Sequence, residues 1–188
     1  MNSLLEVLQT DRLILRTWQE QDLELLYQIN QDPRVMEFFP HMPDRVETQR
    51  FFDKVKEHQE QYGYSLYAVD RKDSSEFIGF VGLLVADFSA HFTPAAEIAW
   101  RLGYEHWGQG FATEAARAVL KYGFEQLSLP EIVSFTAVIN ARSRRVMEKI
   151  GLQYDPKDDF DHPKLDKASP LLHHVLYRLR QVEFLSDE

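Results

Sequence analysis

Apolar positions along the chain switch between two periods, every second residue in some stretches and every third or fourth in others. Residues 8–16 alternate in their second half and predict a first strand. Residues 19–30 carry Leu23, Leu26, Tyr27 and Ile29 at helical spacing, with Asp22 and Glu24 near the positive end, and Asp32-Pro33 breaks that helix. Residues 35–43 read as an apolar loop punctuated by Pro40 and Pro43. A second helix is predicted over 45–62, with Phe51, Phe52, Val55 and His58 on one side. Strands follow at 65–71 and 76–86, separated by a polar turn at 72–75, and a further strand at 95–102 follows a loop at 89–94. A helix over 110–126, a strand over 130–138 and a helix over 140–150 come next. Asn140 is suited to cap that last helix and Gly151 to end it. A short strand at 152–156 and a final strand at 171–180 complete the pattern. With no repeats or linker, a single α+β domain spanning 1–188 is expected.

Composition narrows the classes. A chain of 188 residues, 44% hydrophobic and 13% aromatic, supports a full core and argues against disorder. No apolar run approaches the roughly 20 residues that span a bilayer, and the N-terminus has no signal-peptide pattern. The absence of cysteine excludes disulfides, thiol nucleophiles and thiolate metal sites. No HExxH or comparable ligand spacing occurs among the seven histidines and the acids, so no metal is expected. These features suggest a cytoplasmic protein without a membrane partner. The formal charge of −9 disfavours nucleic-acid binding and is compatible with a cationic amine, or simply with solubility. Acids crowd residues 155–166, which read as a solvated loop first and an amine-attracting rim second.

Candidate chemistry concentrates at Trp107-Gly108-Gln109-Gly110-Phe111-Ala112-Thr113, between a predicted strand and a predicted helix. Two glycines one residue apart permit a tight turn, and the helix start offers unpaired amides at the positive end of its dipole. Such a turn holds phosphates without a basic side chain. An ordinary strand-to-helix connection is the plain alternative. A GxxxxGK phosphate loop is absent, and Thr113 stands where the dinucleotide fingerprint needs a third small residue. A second stretch, Asn140-Ala141-Arg142-Ser143 through Glu148-Lys149-Ile150-Gly151-Leu152, is mostly explained as a capped helix, but that role gives no reason for Ser143.

These two stretches, together with residues 10–16, 97–102 and 174–179, resemble the GCN5-related N-acetyltransferases (GNAT), closest to the RimJ/RimL-like branch. The likeness runs in order over about residues 8–180. It implies a mostly antiparallel sheet splayed between its fourth strand (95–102) and fifth strand (131–138), flanked by about four helices, with acetyl-CoA wedged in the gap. It also implies that main-chain groups of Trp100, Arg101 and Leu102 pair with the pantetheine arm. Backbone amides of Gly108, Gln109, Gly110, Ala112 and Thr113 would hold the diphosphate, with Trp107 and Phe111 in the same signature. Asn140 and Ser143 would reach the pantetheine and its sulfur. Two places depart from the family pattern. Trp107 replaces the usual Arg or Gln, as is common in this branch, and Met147 stands where a tyrosine often protonates the thiolate.

Acetyl transfer needs a neutral nitrogen, a met oxyanion and a proton for the leaving thiolate. An α-amino group, with a pKa of about 7.7–8, needs less help than a lysine. Glu97, on the strand bordering the thioester, is the preferred base, acting directly or through water, against a plain surface carboxylate or one paired with Arg101. Ser143 is the preferred proton donor by analogy with the family. His174 is a rival base, and His106, beside the glycine turn, is expected to face solvent, with contact to the cofactor as the alternative. Phe38 and Phe39 would shape the acceptor pocket, or simply pack in the core. The expected activity is direct acetyl transfer from acetyl-CoA to a primary amine, either a protein N-terminus or a small molecule, by a monomer or homodimer. A catalytically silent acyl-CoA sensor and a nucleotide-binding protein are the rivals.

Overall fold

The first predicted strand is a hairpin. In the computed structural model, which describes residues 5–186, β1 (Glu6–Gln9) and β2 (Leu13–Arg16) pair antiparallel around residues 10–12. The remaining elements follow the predicted order. They are α1 (Asp22–Asn30), α2 (Arg45–Tyr62), β3 (Leu66–Arg71), β4 (Phe77–Ala86), β5 (Ala95–Leu102), α3 (Phe111–Glu125), β6 (Glu131–Ala137), α4 (Ala141–Lys149), β7 (Gln153–Tyr154), β8 (Phe160–Asp161), β9 (His173–Arg180) and α5 (Gln181–Ser186). The architecture is mixed α/β, with mostly antiparallel strands and five helices among the described residues. The acidic stretch 155–166, predicted as loop only, contributes β8, and α5 was not foreseen.

The chain forms two compact units, 1–84 with 99–119, and 85–98 with 120–188, so β5 and α3 each contribute to both. In the first unit, β2 pairs with β1 and β3, and β3 pairs with β4, all antiparallel. Trp18, Leu26, Phe52, Val55, Leu66, Ala68 and Phe80 form its core, joined by Ala99 of β5. Helix α2 supplies Phe52 and Val55 from one face, three residues apart. A capping box between Asp44 and Glu47 starts α2, and Gly63, at φ 78°, ends it. Arg16 is buried beside Asp22 and Asp70, each holding it through two hydrogen bonds. Gly79 is a site where only a bare Cα fits. It has φ 135°, and a Cβ there would lie 2.1 Å from the Arg101 carbonyl oxygen.

In the second unit, the start of β5 pairs parallel with β6 at Ala96–Ile132 and Glu97–Val133. One residue further on, a side chain takes over, the Ser134 hydroxyl donating to the Ile98 carbonyl at 2.9 Å. Strand β6 runs antiparallel to β9 over its whole length, and β7 and β8 pair with β9 as well. Val133, Phe160 and Leu176 form a core cluster against which Phe88, Phe92, Ala95 and Phe135 pack.

Candidate active site

The glycine turn is held from both sides in the first unit. A 3-10 turn at Tyr104–His106 follows β5, and the Trp107 amide closes it on the Tyr104 carbonyl at 3.1 Å. The Trp107 indole donates to the Leu102 carbonyl at 2.9 Å, tying the turn back to its strand. Gly108 and Gly110 have φ of 73° and 83°, left-handed values that carry little strain only in glycine. Among the described residues beyond its two chain neighbours, nothing fills the space at Gly108, and the nearest such atom to a Cβ at Gly110 would be Arg12 Nη2 at 3.5 Å. Helix α3 opens immediately after Gly110 and buries Phe111, Ala115, Ala116 and Val119.

Arg12 and Glu114 clamp this turn, a role the sequence did not suggest. The Arg12 Nη1 donates to the Gln109 carbonyl at 3.0 Å and its Nε to Glu114 Oε2 at 2.6 Å. Glu114 Oε1 accepts from the Thr10 hydroxyl at 2.5 Å and the Arg12 amide at 2.9 Å. Burial works to raise the Glu114 carboxyl, but these donors outweigh it and hold the group below the usual carboxylate range. A carboxylate near a helix start repels an incoming anion and competes with it for the amides, and here Arg12 neutralises it. Among the described residues, the amides of 108–113 have no acceptor in the chain: 110–113 because they open α3, and 108 and 109 because they lie in the turn before it. Six left-over donors at the positive end of a helix dipole fit a diphosphate.

The three expected pantetheine partners are not equivalent. The Arg101 carbonyl is turned to Gly79 of β4, and the Leu102 carbonyl accepts from Trp107. Successive peptide groups in a strand point to opposite edges, so Trp100 and Leu102 share the edge that Arg101 does not use. His106, expected to face solvent, is instead largely enclosed at 11% side-chain exposure, and its Nε2 lies 3.7 Å from Glu76. Phe39 of the loop following α1 stacks on the Arg101 guanidinium at 4.3 Å.

In the second unit, Asn140 caps α4 as predicted. Its Oδ1 accepts from the Ser143 amide at 3.2 Å, while Nδ2 donates to the Thr136 hydroxyl at 2.9 Å. Both ends of that side chain therefore have local work. The half-buried Ser143 hydroxyl has no hydrogen-bond partner among the described residues. Met147, at the tyrosine place, is buried in the core.

Glu97 is half-buried and sits beside Val133. Pairing partners share a sheet face, and so do residues two apart. Val133, Phe135 and Ala137 on β6 and Leu176 and His174 on β9 therefore line the same face as Glu97. Both base candidates thus share one wall, floored by Phe88, Phe92, Phe135 and Phe160. The His174 ring lies 5.0 Å from His162 and 5.6 Å from Phe160, and burial, reinforced by His162 and His173, pushes its pKa down to about 4. His174 is accordingly neutral at physiological pH. The unfolded chain takes up this proton near pH 6.5, before the native state does, so stability present above that pH is lost as pH falls toward 4. We expect urea midpoints to drop between pH 7 and 4.5, and His174→Gln to flatten that slope.

The family model described as an acetyltransferase (GNAT) domain matches residues 12–153. The uncharacterized N-acetyltransferase YoaA of Bacillus subtilis is 30% identical over 151 residues, covering 78% of this chain and 82% of YoaA. A solved GNAT-family acetyltransferase from Bacillus anthracis is similar with a TM-score of 0.75 at 25% identity, over 93% of this chain and 98% of that one. The spermidine N-acetyltransferase of Vibrio cholerae, solved with CoA and spermine, shares the fold at a TM-score of 0.72 and 21% identity, over 94% and 99% of the two chains. The chain belongs to the GNAT family and is an acetyltransferase. Among the described residues there is no group of acids and histidines able to hold a metal, and no helix is long and apolar enough to cross a membrane.

Proposed function

We propose that this acetyltransferase uses acetyl-CoA and moves the acetyl group to a primary amine by direct attack, in the cytoplasm where that thioester is made. The observation that carries the reading is the set of amides at 108–113, left without acceptors at the start of α3 and braced by Arg12 and Glu114. Those amides would hold the diphosphate. In the transfer, Glu97 takes the proton from the incoming nitrogen, directly or through water. The nitrogen–carbon bond forms as the carbon–sulfur bond breaks, a β5 amide meets the oxyanion, and Ser143 gives its proton to the departing thiolate. The Vibrio cholerae neighbour, held with CoA and spermine, supports the cofactor class through the shared fold. The RimJ/RimL-like resemblance supports a protein N-terminus as acceptor, and a small-molecule amine is the other candidate.

The second reading is a silent acyl-CoA sensor, favoured by the burial of Met147 where the family often has a catalytic tyrosine. Release of free thiol from acetyl-CoA, followed over a panel of amines and peptides, separates the two. We expect saturable, acceptor-dependent release. Tight acetyl-CoA binding without turnover on any amine would establish the sensor instead.

A further inference from the structure

Among the described residues, Arg101 carries a charge with no counter-ion. Its side chain leaves β5 on the face that carries Ala99 into the core of the first unit. The guanidinium lies 4.3 Å from the Phe39 ring, 5.4 Å from Phe80 and 5.9 Å from Phe51. Nη1 donates to Asn30 Oδ1 at 2.7 Å, and the buried Asn30 in turn donates to the Thr48 hydroxyl at 3.3 Å. Nε is enclosed without an acceptor, although the residue as a whole stays partly exposed. Among the described residues no carboxylate reaches Arg101, and burial alone lowers its pKa to about 10.

Arg16 shows how this chain treats a buried arginine that needs nothing further. Asp22 and Asp70 each take it through two hydrogen bonds. Ring faces return only a fraction of what an ion loses with its water, so Phe39, Phe51 and Phe80 do not replace the missing carboxylate. Asn30 fixes one corner of the guanidinium and leaves the Nε–Nη2 edge, the fork that matches a carboxylate in two parallel hydrogen bonds.

We propose that the Arg101 side chain binds a carboxylate of the acceptor, so that the acceptor is an amine bearing an acid group, an amino acid or a close analogue, rather than a polyamine. The proposal rests on the acetyl-transfer reading above, and it concerns the side chain, whereas the family likeness involves only the Arg101 main chain.

Matched pairs test it: free L-amino acids against the corresponding L-amino-acid amides, with spermidine as a third probe. The protein is expected to prefer the acids by about ten- to a hundredfold in kcat/KM, the worth of a charge-assisted fork. Arg101→Met is expected to lose that preference through KM while keeping its affinity for CoA. Arg101→Lys, a point charge without the fork, restores only part of it. Arg101→Met should melt at or above the parent temperature, because an uncompensated ion has been removed. Calorimetric binding of the same acids and amides in the presence of CoA reads the preference independently of turnover, so a failed transfer reaction and a failed carboxylate site are told apart. Equal treatment of acids and amides, or a preference that survives in Arg101→Met, would overturn the proposal. Loss of CoA affinity in that variant would do so too, by assigning the guanidinium to the cofactor's phosphates.

Discussion

Replacing Glu97 with glutamine is expected to lower kcat by roughly 10²–10⁴-fold, the usual contribution of a positioned base. The residue is half-buried on β5 beside Val133, and it shares its sheet face with His174 and the aromatic floor. His174 is the competing base on that wall. Its ring is already neutral across the physiological range, since burial holds its pKa near 4, so it has the protonation state a base needs. The two are separated by their pH profiles. If Glu97 is the base, Glu97→Gln removes the acid limb of the kcat profile and His174→Gln leaves that limb in place. A Glu97→Gln enzyme with kcat within a few-fold of the parent, at an unchanged urea midpoint, would transfer the role elsewhere.

Asp22→Asn is expected to cost about 3–5 kcal/mol of stability, the scale for leaving a buried charge partly uncompensated. Asp22 is fully buried and accepts from Arg16 Nη1 at 2.6 Å, from Nη2 at 2.9 Å and from the Gln19 amide at 2.7 Å. Burial opposes the Arg16 charge, yet Asp22 and Asp70 together outweigh it and raise the guanidinium further above its ordinary value. Asparagine keeps the shape and removes the charge, so Asp70 alone must balance Arg16. Urea unfolding of Asp22→Asn and of the triple variant Arg16→Met/Asp22→Leu/Asp70→Leu checks this, because replacing the whole ion set by apolar side chains should recover much of the loss. A single-variant penalty below about 1 kcal/mol would mean that the pair acts like an exposed one.

The sequence discloses what local signals control. Helix α2 is bounded as predicted, and β5 likewise, because a capping residue or a clean alternation marks each end. Asn140 caps α4 for the same reason. The hairpin at residues 10–12 was read as one strand because its turn carries no glycine or proline. Thr10 closes that turn on Leu13, and Glu114, over a hundred residues later, anchors it. Strand β8 was hidden by its acids. Its pairing depends on Phe160 meeting His174, which no local pattern announces.

At the candidate site, the glycines and the helix start were legible because backbone conformation is written locally. The Arg12–Glu114 clamp was not, since its contact spans 102 residues. Arg101 reads from the sequence as a main-chain partner of the cofactor or as a plain ion-pair partner of Glu97, and its side chain instead meets Asn30 and aromatic rings. What makes its side chain unusual is Asn30 from α1, Phe39 from the following loop, Phe51 from α2 and Phe80 from β4, an environment assembled by tertiary structure alone. His106, beside the glycine turn, reads as solvent-facing from the sequence, yet its ring is tucked against Gly103.

A titration of the 15N-labelled protein with CoA, followed amide by amide, tests the central claim most directly. Large shifts at Gly108, Gln109, Gly110, Ala112 and Thr113, saturating with CoA, are the predicted result. Silence at those five amides, with CoA shifting other resonances or none, would contradict the account.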